Sequence, residues 1–246
     1  ALPIWLGRML SAENQSNEAL SALAKAWERF FSLATSGNQR AARMMSVVTI
    51  DAGDALRGMG RLDEAVAAYE DGIQQAKNLG DGRQAAVGQG QLGSARLSQG
   101  RFEEALKSYQ EAGATFEALG EPAAVAGIWH QIGMMHADAG NAEAAEQFCK
   151  NALAIEVAQG DRAMEAATLH QLGMLYANQG RLDDAAALYR QAVDLQRLVG
   201  NSHDESKSLG NLGNVLHKLH RLDDAREALR ASLALLKPYG HASEPW

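Results

Sequence analysis

The sequence predicts an all-α fold made of repeated helix pairs, and three observations favour it. Forty-six of the 246 residues are alanine, the strongest helix former, whereas only four are proline, which breaks helices. Hydrophobic residues make up 46% of the chain and charged residues 22%, a balance that excludes a disordered or collagen-like chain. Most of the 24 glycines, which weaken a helix, recur at a regular interval. Their positions therefore define the elements.

Fourteen of the glycines form three columns in which each member follows the previous one by 40 residues. The residues around the second column also repeat, reading GRLDEA at 60–65, GRFEEA at 100–105 and GRLDDA at 180–185. This spacing indicates internal repeats, which we place at 41–80, 81–120, 121–160, 161–200 and 201–240, as one array with a short tail at 241–246. The columns are Gly80, Gly120, Gly160, Gly200 and Gly240; Gly60, Gly100, Gly140 and Gly180, with His220 in the fifth place; and Gly53, Gly93, Gly133, Gly173 and Gly213.

A sixth, worn copy of the repeat is predicted at residues 1–40. Leu6-Gly7 corresponds to Leu92-Gly93, and the segment NEA at 17–19 corresponds to EEA at 103–105 with the same separation. This copy contains about six extra residues. We expect them in the loop near Thr35 to Arg40.

Each repeat is interpreted as two helices joined by a glycine turn, because apolar or small residues recur at helical spacing on both sides of the turn. In the repeat at 81–120, Asp81 is placed to cap the first helix and Gly100 makes the turn. The second helix is predicted from Phe102 to about Leu119, and Gly120 ends it in the left-handed conformation.

Charged residues and proline support the same boundaries. The acidic pair Glu103 and Glu104 falls in the first turn of the second helix, where it complements the positive end of the helix dipole. Pro122 falls at the start of the next first helix, the one helical position that tolerates proline.

The glycine column inside the first helices requires close packing, because glycine there weakens each helix by about 1 kcal/mol relative to alanine. The second helices offer a matching face with small, bulky and small residues at helical spacing. We expect the bulky side chain to insert where the glycine leaves room. The columns are Ala65, Ala105, Ala145, Ala185 and Ala225; Tyr69, Tyr109, Cys149, Tyr189 and Leu229; and Gly72, Ala112, Ala152, Ala192 and Ser232.

Together these motifs resemble the tetratricopeptide repeat (TPR) family. A Leu-Gly pair in the first helix, a glycine turn before an acidic pair, and Ala, Tyr and Ala in the second helix form that family's pattern, which covers essentially the whole chain. The period of 40 is similar to that of the longer-helix branch seen in kinesin light chains, spindle-orientation adaptors and bacterial sensor proteins. The resemblance implies a right-handed superhelical solenoid of about six helix-turn-helix repeats. It also implies a concave groove, lined by the first helices, that binds proteins or peptides.

The position before each Leu-Gly motif carries an almost unbroken series of amides, which we call the amide column. An amide has both a donor and an acceptor, so it can bind both main-chain groups of an extended peptide. In the related adaptors, amides at this position contact bound peptide, and the resemblance extends that role to this chain. Solvation of an exposed helix face is the alternative explanation. The column consists of Asp51, Gln91, Gln131, Gln171 and Asn211.

Neighbouring positions are expected to set specificity. Met134 and Met174, flanked by His130 and His170, predict an adaptable apolar floor with titratable edges in the middle repeats. The alternative is that these residues only fill packing gaps. Asn214 belongs to the same column as the two methionines, together with Asp54 and Ser94.

Composition argues against several other functions. The net charge is −7, and no basic stripe is present to bind nucleic acid. No apolar run is long enough to span a membrane, and the single Cys149 fits a reducing, cytoplasmic location. We expect no cofactor.

Catalytic and metal sites are not indicated either. The acidic pairs recur in nearly every repeat, which marks them as helix starts, and the Gly-x-Gly-x-x-Gly match at 88–93 falls inside a predicted helix. His130 with His136, or His217 with His220, lacks further ligands at a suitable spacing. We therefore expect no enzyme.

The sequence thus favours a non-enzymatic scaffold that binds an extended peptide segment of a partner protein. Two alternatives remain open. The chain could self-assemble through uncapped ends, where Ile4, Trp5 and Leu6 and the leucines near 233–236 offer apolar surface. It could also be the sensory segment of a larger signalling protein.

Overall fold

The computed structural model describes residues 8–9 and 16–236 of the chain. Eleven α-helices and no strand lie between residues 16 and 236. The all-α prediction is therefore confirmed, whereas Leu6-Gly7, Gly240 and the tail at 241–246 lie outside the described residues. The helices are α1 (Ser16–Thr35), α2 (Gln39–Gly58), α3 (Leu62–Asn78), α4 (Gly82–Ser98), α5 (Phe102–Ala118), α6 (Pro122–Asp138), α7 (Ala142–Gln159), α8 (Arg162–Asn178), α9 (Leu182–Leu198), α10 (Ser202–Lys218) and α11 (Leu222–Leu236).

The helix boundaries follow the predicted capping signals. The Asp81 carboxylate accepts a hydrogen bond from the Gln84 main-chain N–H at 3.0 Å at the start of α4, and Pro122 is the first residue of α6. Gly100 ends its helix with a φ of 74°, in the left-handed region where only glycine is unstrained. His220 adopts the same conformation with a φ of 59°, the one non-glycine to do so among the described residues.

The predicted long loop in the worn copy is wrong, because its extra residues extend two helices instead. Helices α1 and α2 contain 20 residues each, whereas α4 and α5 contain 17 each. The link between α1 and α2 keeps the usual length, and Asn38 caps α2 by accepting a hydrogen bond from the Ala41 main-chain N–H at 3.0 Å. Helical residues satisfy their main-chain groups internally, so added turns avoid the entropy of ordering a longer loop.

The helices pack as consecutive antiparallel neighbours within two compact units, residues 1–128 and 129–246. In the first unit, the Tyr69 side chain is fully buried between α2, α3 and the adjoining helices. In the second unit, Tyr189 is 2% exposed within a larger core that runs from α7 to α11. Large aromatic side chains are few, and most other core positions hold alanine, valine or leucine.

The glycine column lies against the bulky column of the second helices, as predicted. A Cβ atom added at Gly173 would lie 2.9 Å from Cε1 of Tyr189, and one added at Gly93 would lie 2.8 Å from Cε1 of Tyr109. At Gly133 the nearest atom would be Sγ of Cys149, at 2.6 Å. These separations leave no room for a methyl group, so the close approach of the two helices in each repeat depends on glycine.

A pair of glycine substitutions tests this packing. Gly173→Ala is expected to lower the free energy of unfolding by about 1–3 kcal/mol, because the new methyl group displaces the Tyr189 ring. Gly127→Ala in α6 is the matched control, since an added Cβ there has no atom within 4 Å. It should raise stability by up to about 1 kcal/mol through helix propensity. Urea unfolding followed by circular dichroism measures both changes in the free energy of unfolding. Changes of the same sign in the two variants would contradict the packing argument.

Candidate functional site

The amide column lies along the first helix of each repeat, at positions related by one repeat. Asp51 is 9% exposed, and the four amides are half-buried. Gln91, Gln131 and Gln171 make no side-chain hydrogen bond to any described residue, so both atoms of each amide are available to a ligand.

The two ends of the amide column already have partners within the chain. Arg8 donates to the Asp51 carboxylate in a bidentate ion pair, with Nε–Oδ2 at 2.7 Å and Nη2–Oδ1 at 2.9 Å. Burial raises the pKa of Asp51, and the hydrogen bond and charge of Arg8 oppose that shift. Asn211 Nδ2 lies 3.4 Å from Nε2 of His170.

A surface depression of about 380 Å³ in the second unit brings together five of the predicted site residues. Met134 is half-buried and Met174 is 41% exposed, and both contribute to its apolar surface. Gln131, Asn211 and Asn214 do not belong to its wall. The five residues are His130, Met134, His170, Gln171 and Met174.

Sequence reasoning missed most of the remaining wall of this depression, which comes from α8, from the end of α6, and from α9, α10 and the segment that joins them. Ala163, Ala166 and Ala167 of α8 line it beside Val199, which is 42% exposed. Asp138, Asn201, Asp204 and Lys207 provide polar edges. The ammonium of Lys207 pairs with the Asp204 carboxylate at 3.0 Å. The arrangement offers an apolar floor with a mixed polar rim.

A buried polar network lies beneath His130, which is 6% exposed. Its Nδ1 lies 2.8 Å from Oγ1 of Thr168, and Thr168 Oγ1 in turn donates to Oε1 of Glu156 at 3.0 Å. Since the single hydroxyl proton of Thr168 goes to Glu156, the hydroxyl oxygen accepts from Nδ1–H of His130. This tautomer leaves Nε2 of His130 as an acceptor, and no described residue donates to it.

A second network repeats this geometry one repeat later, with an amide in place of the carboxyl group. His170 Nδ1 lies 2.7 Å from Oγ of Ser208. With its amide oriented so that both atoms are satisfied, Gln196 accepts a hydrogen bond at its side-chain oxygen from Ser208 Oγ at 3.1 Å. The corresponding positions in the other repeats hold Ala76, Phe116 and Leu236, so only the repeats at 121–160 and 161–200 carry polar groups here.

Glu156 is a buried acid with a raised pKa. It is 2% exposed, and its Oε2 atom has no hydrogen-bond partner among the described residues. Burial raises its pKa to about 7, the hydrogen bond from Thr168 opposes the shift, and the negative charges of Asp161 and Glu165 add to it. Burial also lowers the pKa of His130, so the imidazole is neutral at pH 7.

A separate depression of about 390 Å³ in the first unit includes Asp51 and Gln91. Asp54 and Arg83 also line it, and Asp54 accepts a hydrogen bond from the Tyr69 hydroxyl at 2.7 Å. Burial raises the pKa of Asp54, and the hydrogen bond from Tyr69 opposes that shift. Its walls are more strongly charged than those of the depression in the second unit.

The missed network has a signal in the sequence. Glu156 and Gln196 fall in a column that is otherwise apolar, and Thr168 and Ser208 fall at matching positions of the next first helix. Two polar residues that share buried columns in adjacent repeats predict a hydrogen bond between them. Each of the two columns, considered by itself, indicates only an amphipathic helix.

Two features of the described part of the chain bear on other functions. Within residues 8–9 and 16–236, no three His, Cys, Asp or Glu side chains are grouped so that they could hold a metal ion. None of the helices described there combines the length and the apolar character that crossing a membrane requires.

Stacked helix pairs with polar positions along their first helices define a repeat protein built for protein–protein interaction. The tetratricopeptide repeat profile matches residues 40–118, 124–197 and 164–237. The chain therefore belongs to the tetratricopeptide repeat family, an all-α repeat solenoid whose members are generally non-catalytic scaffolds.

Solved structures with the same fold are distant in sequence. BtubC (BKLC) from P. vanneervenii has a TM-score of 0.80 at 18% identity, covering 94% of this chain and 95% of that one. TPR-like repeats from Podosopora anserina, described as a kinesin light chain, give 0.63 at 20% identity over 79% and 96% of the two chains. The quorum sensor NprR from B. thuringiensis gives 0.72 at 14% identity over 96% and 64%. No curated protein sequence matches this chain. At these identities the likeness establishes the fold alone.

Removal of the Thr168 hydroxyl tests the buried network. Thr168→Val keeps the side-chain shape but leaves the His130 N–H and Glu156 Oε1 without partners, so stability should fall by about 2 kcal/mol. Thr115→Val is the control, because the Thr115 hydroxyl bonds only to the main-chain carbonyl of Glu111 at the surface. Urea unfolding should show a change within about 0.5 kcal/mol for the control. Equal losses would mean that the network contributes no stability.

Proposed function

We propose that the chain binds an extended segment of a partner protein along the first helices of one unit, with the amide-column residues of that unit bonding to the main chain of the segment. The supporting observation is that Gln91, Gln131 and Gln171 are half-buried amides without partners among the described residues. Neighbouring first helices about 10 Å apart would meet an extended ligand about every three residues. The amides would then give affinity largely independent of the bound sequence.

Specificity in this proposal comes from the depression in the second unit. Met134, Met174 and Val199 form apolar surface that can adapt to a bulky side chain of the partner. The free Nε2 acceptor of His130 and the Gln171 amide both line that depression. There, Nε2 can accept a hydrogen bond from a main-chain N–H of the partner, and the Gln171 amide can donate to a main-chain carbonyl. The partner is therefore expected to place an apolar side chain between two main-chain contacts.

The proposal predicts the behaviour of an amide-column variant. Peptides of twelve residues selected from a random displayed library on the wild-type chain should bind Gln131→Ala/Gln171→Ala at least about tenfold more weakly, because two hydrogen bonds are lost. Fluorescence anisotropy with the labelled peptides measures the dissociation constants. Circular dichroism checks that the variant keeps its helices.

Gln147→Ala/Gln191→Ala serves as the matched control, because these two exposed amides lie on the second helices α7 and α9. Its affinity should equal that of the wild type. The peptide-binding proposal fails if the selection yields no binder, or if the amide-column variant binds as tightly as this control.

Within this proposal, the chain acts as a cytoplasmic adaptor or as the sensory segment of a larger signalling protein. The structural similarity to NprR, which is named a quorum sensor, supports a sensory role. The net charge of −7 favours protein over nucleic acid as the partner.

Self-assembly is a second candidate function, favoured by the outer face of α11. Leu229 fills the space over Gly213 yet is 37% exposed, whereas Tyr189 at the same position one repeat earlier is 2% exposed. Leu222 and Leu233 on the same helix are 53% and 44% exposed. A second copy of the chain could cover these leucines.

Sedimentation velocity over a range of concentrations tests this candidate. The wild-type chain should show a mass that rises with concentration, and Leu222→Lys/Leu233→Lys should remain monomeric because it places charge on the buried face. Leu198→Lys is the control, since Leu198 of α9 is 63% exposed away from α11. A wild-type chain that stays monomeric throughout excludes self-assembly.

A further inference from the structure

We propose that Glu156 is a proton-operated control of the depression in the second unit. When its carboxyl group is protonated, Glu156 holds α8 against α7. When the proton is lost, α8 loosens, and the part of the wall that α8 contributes to the depression loosens too. The effect on partner binding rests on the proposed function, whereas the loosening of α8 does not.

The contacts of Glu156 connect it directly to the depression. Thr168, which is fully buried, donates to Glu156 and accepts from His130, and His130 lines the depression. Ala166 and Ala167, immediately before Thr168 on α8, also belong to the wall. Water can reach an ionised Glu156 only if α8 moves away from α7, and that movement displaces the segment that shapes the site.

The adjacent repeat shows which state of Glu156 this geometry accommodates. Gln196 occupies the same position and, in its satisfied orientation, donates from Nε2 to the main-chain oxygens of Ala192 at 3.2 Å and Asp204 at 3.3 Å. A protonated carboxyl group is also neutral and can make one such donation from Oε2. An ionised carboxylate has no proton to donate, and its Oε2 remains without a partner in a buried position.

The titratable groups that face Glu156 from the neighbouring elements are negative or neutral, so none of them carries a positive charge that would favour its ionisation. Asp161 in the turn and Glu165 on α8 are both negative. Cys149 on α7 is neutral, because burial and the charge of Glu156 raise the pKa of its thiol to about 11. His130 on α6 is neutral at pH 7 and gives no compensating positive charge. Glu156 also lies in the last turn of α7, at the negative end of the helix dipole.

The direction of the pH effect follows from the two states. In the folded chain the pKa of Glu156 is about 7, above the ordinary value of 4.5 that applies once α8 opens and water reaches the carboxyl group. The closed state therefore binds the proton more tightly. Its stabilisation is complete below pH 4.5 and declines as the pH rises through 7. Partner affinity should decline over the same range, near neutral pH.

Hydrogen exchange tests the loosening without any ligand. For the full chain, exchange of the α8 amides, corrected for the intrinsic rate, should become about tenfold faster between pH 6 and pH 8, as the two pKa values require. Glu156→Gln should remove this pH dependence, because it reproduces the neutral network of Gln196. Glu143→Gln, which changes an exposed acid on the same helix, should leave the wild-type dependence intact.

Carboxyl carbon NMR supplies a second measurement on the wild-type chain, independent of how the variant folds. A titration near pH 7 that is absent from Glu156→Gln supports the proposal. It is overturned if Glu156 titrates near its ordinary value, or if α8 exchange in the wild type does not change with pH. Equal pH dependence in the wild type and in a folded Glu156→Gln overturns it as well.

The library-selected peptides then separate this inference from the proposed function. Binding that weakens severalfold from pH 6 to pH 8 in the wild type but not in Glu156→Gln supports the control of binding. Binding that loses affinity in the amide-column variant yet is independent of pH keeps the proposed function and overturns the control. If no peptide binds, the proposed function fails, and the exchange and NMR data alone decide the role of Glu156.

Discussion

The approach of a bulky side chain to a glycine within each repeat is the contact on which the rest of the structure depends. Tyr109 and Tyr189 lie so close to Gly93 and Gly173 that no methyl group fits between them. This contact fixes the separation of the two helices in a pair and thereby sets which positions of the first helix are covered. The amide column lies two residues before the glycine, so its partial exposure is a result of the same contact. In each repeat, one bulky side chain and one glycine therefore specify how the two alanine-rich helices pack.

Much of the fold could be predicted from the sequence because the repeats agree with one another. A turn glycine, a capping Asp81 and an acidic first turn are local signals, and five copies at one spacing remove the ambiguity of each. The worn copy lacked that support. There, the number of extra residues could be predicted, but their place in α1 and α2 could not, because either a helix or a loop can accommodate them.

The candidate site was less accessible to sequence reasoning. His130, His170 and the two methionines were selected from their columns, and the structure brings them to one depression. The partners that give them chemical character lie on other helices, at separations of 38 residues for His130 and Thr168 and 12 for Thr168 and Glu156. Asp51 illustrates the same difficulty, since its partner Arg8 is 43 residues away in the worn copy. A column of the repeat shows on which face of its helix a residue lies. Its hydrogen-bond partners on other helices can be identified only once the packing of the helices is known.

The conformation of His220 has a consequence for how the array comes apart. In a solenoid each helix pair is held mainly by its immediate neighbours, so opening is local and begins at the weakest junction. Eight turns from Gly60 to Gly200 take the left-handed conformation with glycine, but the turn between α10 and α11 forces a side chain into it. That strain is of the order of 1 kcal/mol and is released when the turn opens. The turn between α10 and α11 therefore opens about 1 kcal/mol more easily than the same turn would with glycine, and the packing between these two helices has to offset that strain.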